Sequence, residues 1–179
     1  MVLASPGVFL HIRPEIPSDF EFIRDLHAET FPTFAEAILV SRLRREASPC
    51  FSLVAECEGT LVGHLFFSPV TLEGHPHLKI MGLAPLAVQE EYQGEGIGSA
   101  LVIKGLEMCR ENHIDAVVVL GHATYYPRFG FQPAIVFGIE CPYPVPNESF
   151  MALEIVSGSL ADVEGTAYYH PAFDDFEED

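Results

Sequence analysis

Positive charge is scarce in this chain. Across 179 residues, Lys and Arg number 9 against 26 Asp and Glu, a formal net charge of −17. Nucleic-acid binding needs clustered cations to neutralise phosphate, so this balance argues against a nucleic-acid partner. It favours solubility and leans weakly towards cationic small molecules. Long apolar runs are missing too. The longest continuous aliphatic run, Ala116 to Leu120, is far too short to cross a bilayer, so no membrane partner is expected. No basic n-region opens the sequence, and no signal peptide is expected. Cys50, Cys57, Cys109 and Cys141 make no C-x-x-C pair and no zinc pattern, and His75-x-His77 has no Cys or acidic partner at ligand spacing. Together these absences point to a reduced, cytoplasmic protein without a metal site.

What is present is an ordinary globular composition, 49% apolar and 20% charged, in a length that suits one domain with a real core. Phe9 to Pro14 reads as a first strand. Ser18 and Glu21, then Thr33 and Glu36, have capping-box spacing and open two short helices separated by Pro32. Their apolar stripes are Phe20, Ile23 and Leu26, then Ile38, Leu39 and Leu43. Phe51 to Cys57 and Leu61 to Val70, around the turn Glu58-Gly59-Thr60, read as a hairpin. Lys79 to Val88 is the next strand. Proline cannot donate to a ladder, so Pro85 inside it implies a bulge or a local split between strands. Gly96 to Asn112 reads as a long helix, Ala116 to Leu120 as a strand buried on both faces, and Tyr125 to Phe129 as a short helix closed by Gly130. Phe131 to Val136 and Phe150 to Val156 read as the last strands, and Asp174 to Asp179 as a disordered acidic tail. The order β, two helices, three β, α, β, α, β, β predicts an α/β or α+β fold with helices on both faces of one sheet.

The chemistry centres on Leu83 to Leu101. An apolar strand ends in a polar turn, Gln89 to Tyr92. Gly94, Gly96 and Gly98 then fall within five residues at a helix start. Glycine lets the backbone approach a ligand closely. The first N–H groups of a helix lack internal partners and sit at the positive end of its dipole, so the turn suits a phosphate. A dinucleotide-binding loop has G-x-G-x-x-G, and Gly94-x-Gly96-x-Gly98 fails that spacing.

Gln93-x-x-Gly96-x-Gly98 after an apolar strand resembles the acyl-CoA pyrophosphate loop of the GNAT superfamily of N-acetyltransferases. Gly121-His122-Ala123-Thr124-Tyr125-Tyr126-Pro127-Arg128-Phe129-Gly130-Phe131 resembles that family's second block. With Leu83 to Val88 and His170-Pro171-Ala172-Phe173, the likeness runs from about Ile12 to Phe173 and is nearest the small bacterial YhbS-type branch. It implies one acyltransferase domain over residues 1–173 before the tail at 174–179. It also implies a mixed, mostly antiparallel sheet split at its middle strands. The implied activity is acetyl transfer from acetyl-CoA to a primary amine on a small molecule or a protein. A non-catalytic acyl-CoA sensor is the alternative, and a homodimer is allowed.

By the same resemblance, the amides of Gly94, Glu95, Gly96, Ile97, Gly98 and Ser99 would hold the pyrophosphate beside Gln93, with the Glu95 side chain turned to solvent. The Leu86, Ala87 and Val88 backbone would pair with the pantetheine arm. The Leu86 or Ala87 N–H would stabilise the thioester oxyanion. Tyr126 falls where the family carries a proton donor to the departing thiolate, and its alternative role is packing. No carboxylate lies within Ile80 to Val88, so the base is open among Glu29, Glu36, His64 and His122, with His122 foremost because it follows the buried strand.

Overall fold

The protein was analysed as a computed structural model, which describes residues 2–3 and 9–176. In chain order the elements are β1 (Val2–Leu3), β2 (Phe9–Pro14), α1 (Phe20–Thr30), α2 (Ala35–Glu46), β3 (Phe51–Cys57), β4 (Thr60–Leu72), β5 (Ile80–Val88), α3 (Ile97–Glu111), β6 (Ala116–Leu120), β7 (Gln132–Pro133), β8 (Ile139–Glu140), β9 (Phe150–Glu154) and β10 (Gly165–Tyr168). The sheet runs β1-β2-β3-β4-β5-β6-β9-β7, with β10 attached to β4 and β8. Neighbours are antiparallel except for the β5·β6 and β8·β10 pairs.

Period-2 alternation explains why helices cover both faces. Leu53, Leu65 and Phe67 point to one side, where Ile97, Leu101, Val102 and Cys109 of α3 pack on them. Val54 and Phe66 point to the other, against Ile23 of α1 and Leu39, Val40 and Leu43 of α2. In β6, Ala116 to Val119 are all buried, as a strand covered on both faces requires. Cys109 is a core residue of this packing, and its thiol is pushed up to about 12 by burial. No helix among the described residues is long and apolar enough to cross a membrane.

Several local expectations need correction. Ser18 does not cap α1. Pro17–Asp19 forms a 3₁₀ turn, and the Asp19 carboxylate accepts the Ile16 N–H at 2.8 Å while pairing with Arg13 at 2.7 Å. Thr33 Oγ1 accepts the Ala35 N–H at 3.3 Å, but Glu36 does not complete a capping box. Phe20 and Ile38 leave their stripes and are exposed, Phe20 lying under the Arg44 guanidinium at 3.8 Å. Phe131 to Val136 is not a strand: only Gln132–Pro133 pairs, with β9, and Ala134–Phe137 coils into a 3₁₀ turn that leaves Ile135 and Val136 exposed. The sequence reading also missed β10. The start of the acidic tail is ordered: Asp174 lies in a 3₁₀ segment, Pro171–Phe176, which Asp175 ties to Arg42. The rest of the tail, residues 177–179, lies outside the described residues.

Candidate active site

The sheet divides where proline suggested it would. Strands β5 and β6 pair over only three positions, Ile80↔Ala116, Met81↔Val117 and Gly82↔Val118. Beyond them β5 keeps only its β4 neighbour, and there the register slips: Leu65 faces Leu86 whereas Phe67 faces Leu83. The slip falls opposite Ala84 and Pro85, consistent with a residue that cannot donate to a ladder. One edge of the Leu86–Val88 backbone therefore borders an open cleft.

The turn after β5 shapes the phosphate end of that cleft. Gly94 and Gly96 adopt φ of +79° and +83°, which L side chains rarely take, and an added Cβ at either would meet nothing within 4 Å. Conformation, not space, demands glycine at these two positions. Gly98 is different: it lies inside α3, and an added Cβ would stand 3.1 Å from the Tyr125 hydroxyl. The first turn of α3 closes with the Ala100 N–H donating to the Gly96 carbonyl at 3.0 Å, so the amides of Ile97, Gly98 and Ser99 have no carbonyl behind them in the helix. The Ile97 side chain drops into the core, leaving its amide at the turn. Gln93 Nε2 donates to the Val88 carbonyl at 3.0 Å and ties the turn to the strand end. Glu95 is exposed and is not on the wall of the cavity this turn encloses.

That cavity, about 390 Å³, is walled by Leu86, Ala87, Val88, the loop glycines, Ser99 and Tyr125. It also carries a cation the sequence reading passed over. Arg128 lines it, with its guanidinium 4.3 Å above the Tyr125 ring and Nε donating to the Tyr125 carbonyl at 2.9 Å. The only hint was its place two residues after Tyr126 in the aromatic block.

A second and larger cavity, about 670 Å³, opens on the other side of Leu86 and Tyr125, which line both. Leu83 to Leu86 form its floor. Gly121, His122 and Tyr126 line it from the β6 end, Glu36 and Leu39 from α2, and Tyr143 and Phe173 complete the wall. The two tyrosines divide the work. Tyr125 points to the loop, its hydroxyl 3.2 Å from Ser99 Oγ. Tyr126, only 8% exposed, lines the larger cavity. It lies so close over Gly121 that a Cβ there would come within 2.5 Å of its ring. Burial, with a smaller effect from Tyr125, raises the Tyr126 phenol to about 12, so it stays protonated at neutral pH.

Of the four candidate bases, Glu36 and His122 reach the larger cavity, His122 as an exposed residue at its rim and Glu36 half-buried. Glu29 lines a separate cavity beside Glu90 and Glu91. His64 is fully buried and hydrogen-bonded to His27 and Ser52, so it is a structural residue.

A split sheet with a glycine turn at its mouth is the arrangement the sequence pattern suggested, and residues 11–134 match the family profile described as an acetyltransferase (GNAT) domain. The chain belongs to the GNAT family of acetyltransferases. Among its curated relatives, YhbS of Escherichia coli K12, described as an uncharacterised N-acetyltransferase, is 39% identical over 166 residues, covering 92% of this chain and 99% of that protein. YjhQ of the same strain, described in the same words, is 45% identical over 135 residues, 73% of this chain and 75% of that one. The crystal structure of Escherichia coli YhbS in complex with CoA superposes with a TM-score of 0.88 at 36% identity, covering 95% and 94% of the two chains. A GNAT acetyltransferase from Brucella melitensis in complex with acetyl-CoA gives 0.74 at 32% identity, covering 92% and 98%. Like these relatives, this GNAT chain is an acetyltransferase.

Proposed function

We propose that the protein transfers an acetyl group from acetyl-CoA directly to a primary amine of a small molecule or an exposed protein side chain. The observation that carries this reading is the pair of cavities meeting at Leu86 and Tyr125. One is walled by the strand end, the glycine turn at the start of α3 and an arginine, a combination that suits a pyrophosphate. The other is apolar and large enough for an acceptor.

In this reading the amides from Gly94 to Ser99 bind the pyrophosphate. The Leu86–Val88 edge pairs with the amides of the pantetheine arm. The Leu86 or Ala87 N–H faces the thioester carbonyl, where one such donor is worth about 10² to 10³ in rate. The neutral amine attacks the carbonyl carbon, a C–N bond forms and the carbonyl oxygen becomes an oxyanion. The nitrogen gives up a proton, through water, to His122 at the cavity rim. Collapse of the intermediate breaks the C–S bond, and the sulfur leaves as a thiolate. Tyr126 stands beside it as a hydrogen-bond donor. With its phenol near 12 and a thiol near 8.5, complete transfer of the tyrosine proton is uphill. Tyr126 thus stabilises the thiolate until a proton arrives from water. The products are an N-acetylated amine and CoA.

The loop assignment is tested with Gly96→Glu. An added Cβ there meets no neighbour, so the fold survives apart from the cost of a positive φ, about 1 kcal/mol. The new carboxylate points at the phosphates. Calorimetry is expected to show loss of acetyl-CoA binding with melting largely retained. Unchanged affinity refutes the site.

A further inference from the structure

We infer that Glu36 is the acceptor's cation anchor and that the acceptor is a primary amine borne on a bulky apolar or aromatic body. This rests on the acetyl-transfer reading and extends it to the substrate class.

Three observations converge. First, Glu36 Oε2 is shielded from solvent and has no hydrogen-bond partner among the described residues. Burying an unpaired carboxylate oxygen is costly, and an isolated protein rarely tolerates it without function. Second, Glu36 lines the larger cavity, where among the described residues it is the one carboxylate and where no Lys or Arg stands beside it. A cationic group on an entering molecule would supply a direct partner for that oxygen. Third, the spacing Thr33-x-x-Glu36 would let this side chain cap its own helix, and it does not. A self-satisfying local bond is given up for a carboxylate at the cavity.

The rest of the wall describes what carries the ammonium. Phe31, Leu39, Leu83, Leu120, Tyr143 and Phe173 surround the space. Such a lining rejects polyamines and amino sugars, whose further polar groups would be desolvated without partners. It favours a ring or alkyl chain, with one charge to fix its orientation. The amine arrives as a cation held by Glu36 and gives one proton to solvent water before attack; the second proton leaves after attack, through water, to His122.

The test uses the CoA-loaded full chain with 2-phenylethylamine, n-hexylamine, spermidine and the uncharged 2-phenylethanol. Binding is read by saturation-transfer NMR, and acetylation by thiol release from acetyl-CoA. We expect the two apolar amines to bind at least tenfold more tightly than the alcohol, and Glu36→Gln to erase that gap while acetyl-CoA affinity stays the same. No preference over the alcohol, a preference that survives Glu36→Gln, or spermidine as the best ligand overturns the assignment. The two readings fail separately. An amine acetylated with kcat/KM unchanged in Glu36→Gln removes the anchor and leaves acetyl transfer standing. An amine bound through Glu36 but never acetylated upholds the anchor and removes the transfer reading.

Discussion

His27 Nε2 and His64 Nδ1 lie 2.8 Å apart, with both residues shut off from solvent and His64 facing Ala87 across the β4·β5 pair. On its far side, His64 Nε2 meets Ser52 Oγ at 2.8 Å and the Glu15 carboxylate at 3.6 Å. Glu15 in turn accepts two hydrogen bonds from Arg44, at 2.7 and 2.9 Å. This chain joins α1, the sheet and α2 on the face opposite α3.

Acid should therefore weaken the fold earlier than carboxylates alone would make it. Burial, with repulsion from His64 and Arg44, lowers His27 from 6.5 to about 3. Burial also lowers His64, against the pull of Glu15. Burial acts to raise Glu15, but hydrogen bonds from His64, Arg44 and Ser52 prevail and bring it from 4.5 to about 2. Between pH 6.5 and about 3, the unfolded chain takes up a proton at His27 that the folded chain refuses. Stability thus falls as pH falls, by about 1.4 kcal/mol per pH unit for each such proton. Glu15 adds to the loss below pH 4.5 and has the same sign. Urea unfolding is expected to give a plateau above pH 7 and a steady decline from pH 6.5 downwards. Equal stability at pH 7.5 and 5 would show that the histidines do not titrate this way.

Among the described residues, Arg128 supplies the one Lys or Arg side chain on the wall of the loop cavity. It is exposed, so its attraction for a phosphate is screened by salt. Arg128→Ala should weaken acetyl-CoA binding about three- to tenfold in low salt. The difference from the natural protein should shrink as ionic strength rises. Calorimetry at 50 and 300 mM salt is the measurement. A loss that is the same at both concentrations would mean that Arg128 acts only by packing on Tyr125.

How much of this was legible in the chain follows from the range of each interaction. The loop was readable because its causes are local: an apolar strand, glycines at two positive φ values, and a helix start within about fifteen residues. Pro85 likewise announced the split. Phe131 to Val136 misled because its apolar residues suggest burial, whereas Pro133 has no N–H to pair and Ile135 and Val136 face outwards. The His27–His64 pair spans 37 positions of sequence, and nothing near either histidine signals the other. His122 stood foremost among four candidate bases because it follows a buried strand, but only the fold brings Glu36 to the same cavity and sends Glu29 and His64 elsewhere. The place of Phe173 on the wall of that cavity was also invisible. There Tyr169 packs on Phe173 at 5.0 Å and lies over Gly82 at the last paired position of β5 with β6.

Tyr126 gives the sharpest kinetic expectation, because its environment limits what it can do. A phenol raised to about 12 by burial remains a donor across the whole working range, so its own ionisation cannot produce a basic limb in the rate profile. The acceptor amine behaves oppositely. It becomes a better nucleophile as it loses its proton, so kcat/KM should climb with pH towards the amine's pKa. On the proposed mechanism, Tyr126→Phe removes the hydrogen bond to the departing thiolate and keeps the packing against Phe131 and Gly121. It should lower kcat by about ten- to a hundredfold, leave acetyl-CoA affinity within twofold, and leave the shape of the pH profile unchanged. If instead the natural enzyme loses activity above pH 9 and Tyr126→Phe does not, the tyrosine is giving up its proton outright. The thiolate would then be protonated by Tyr126 and not by water.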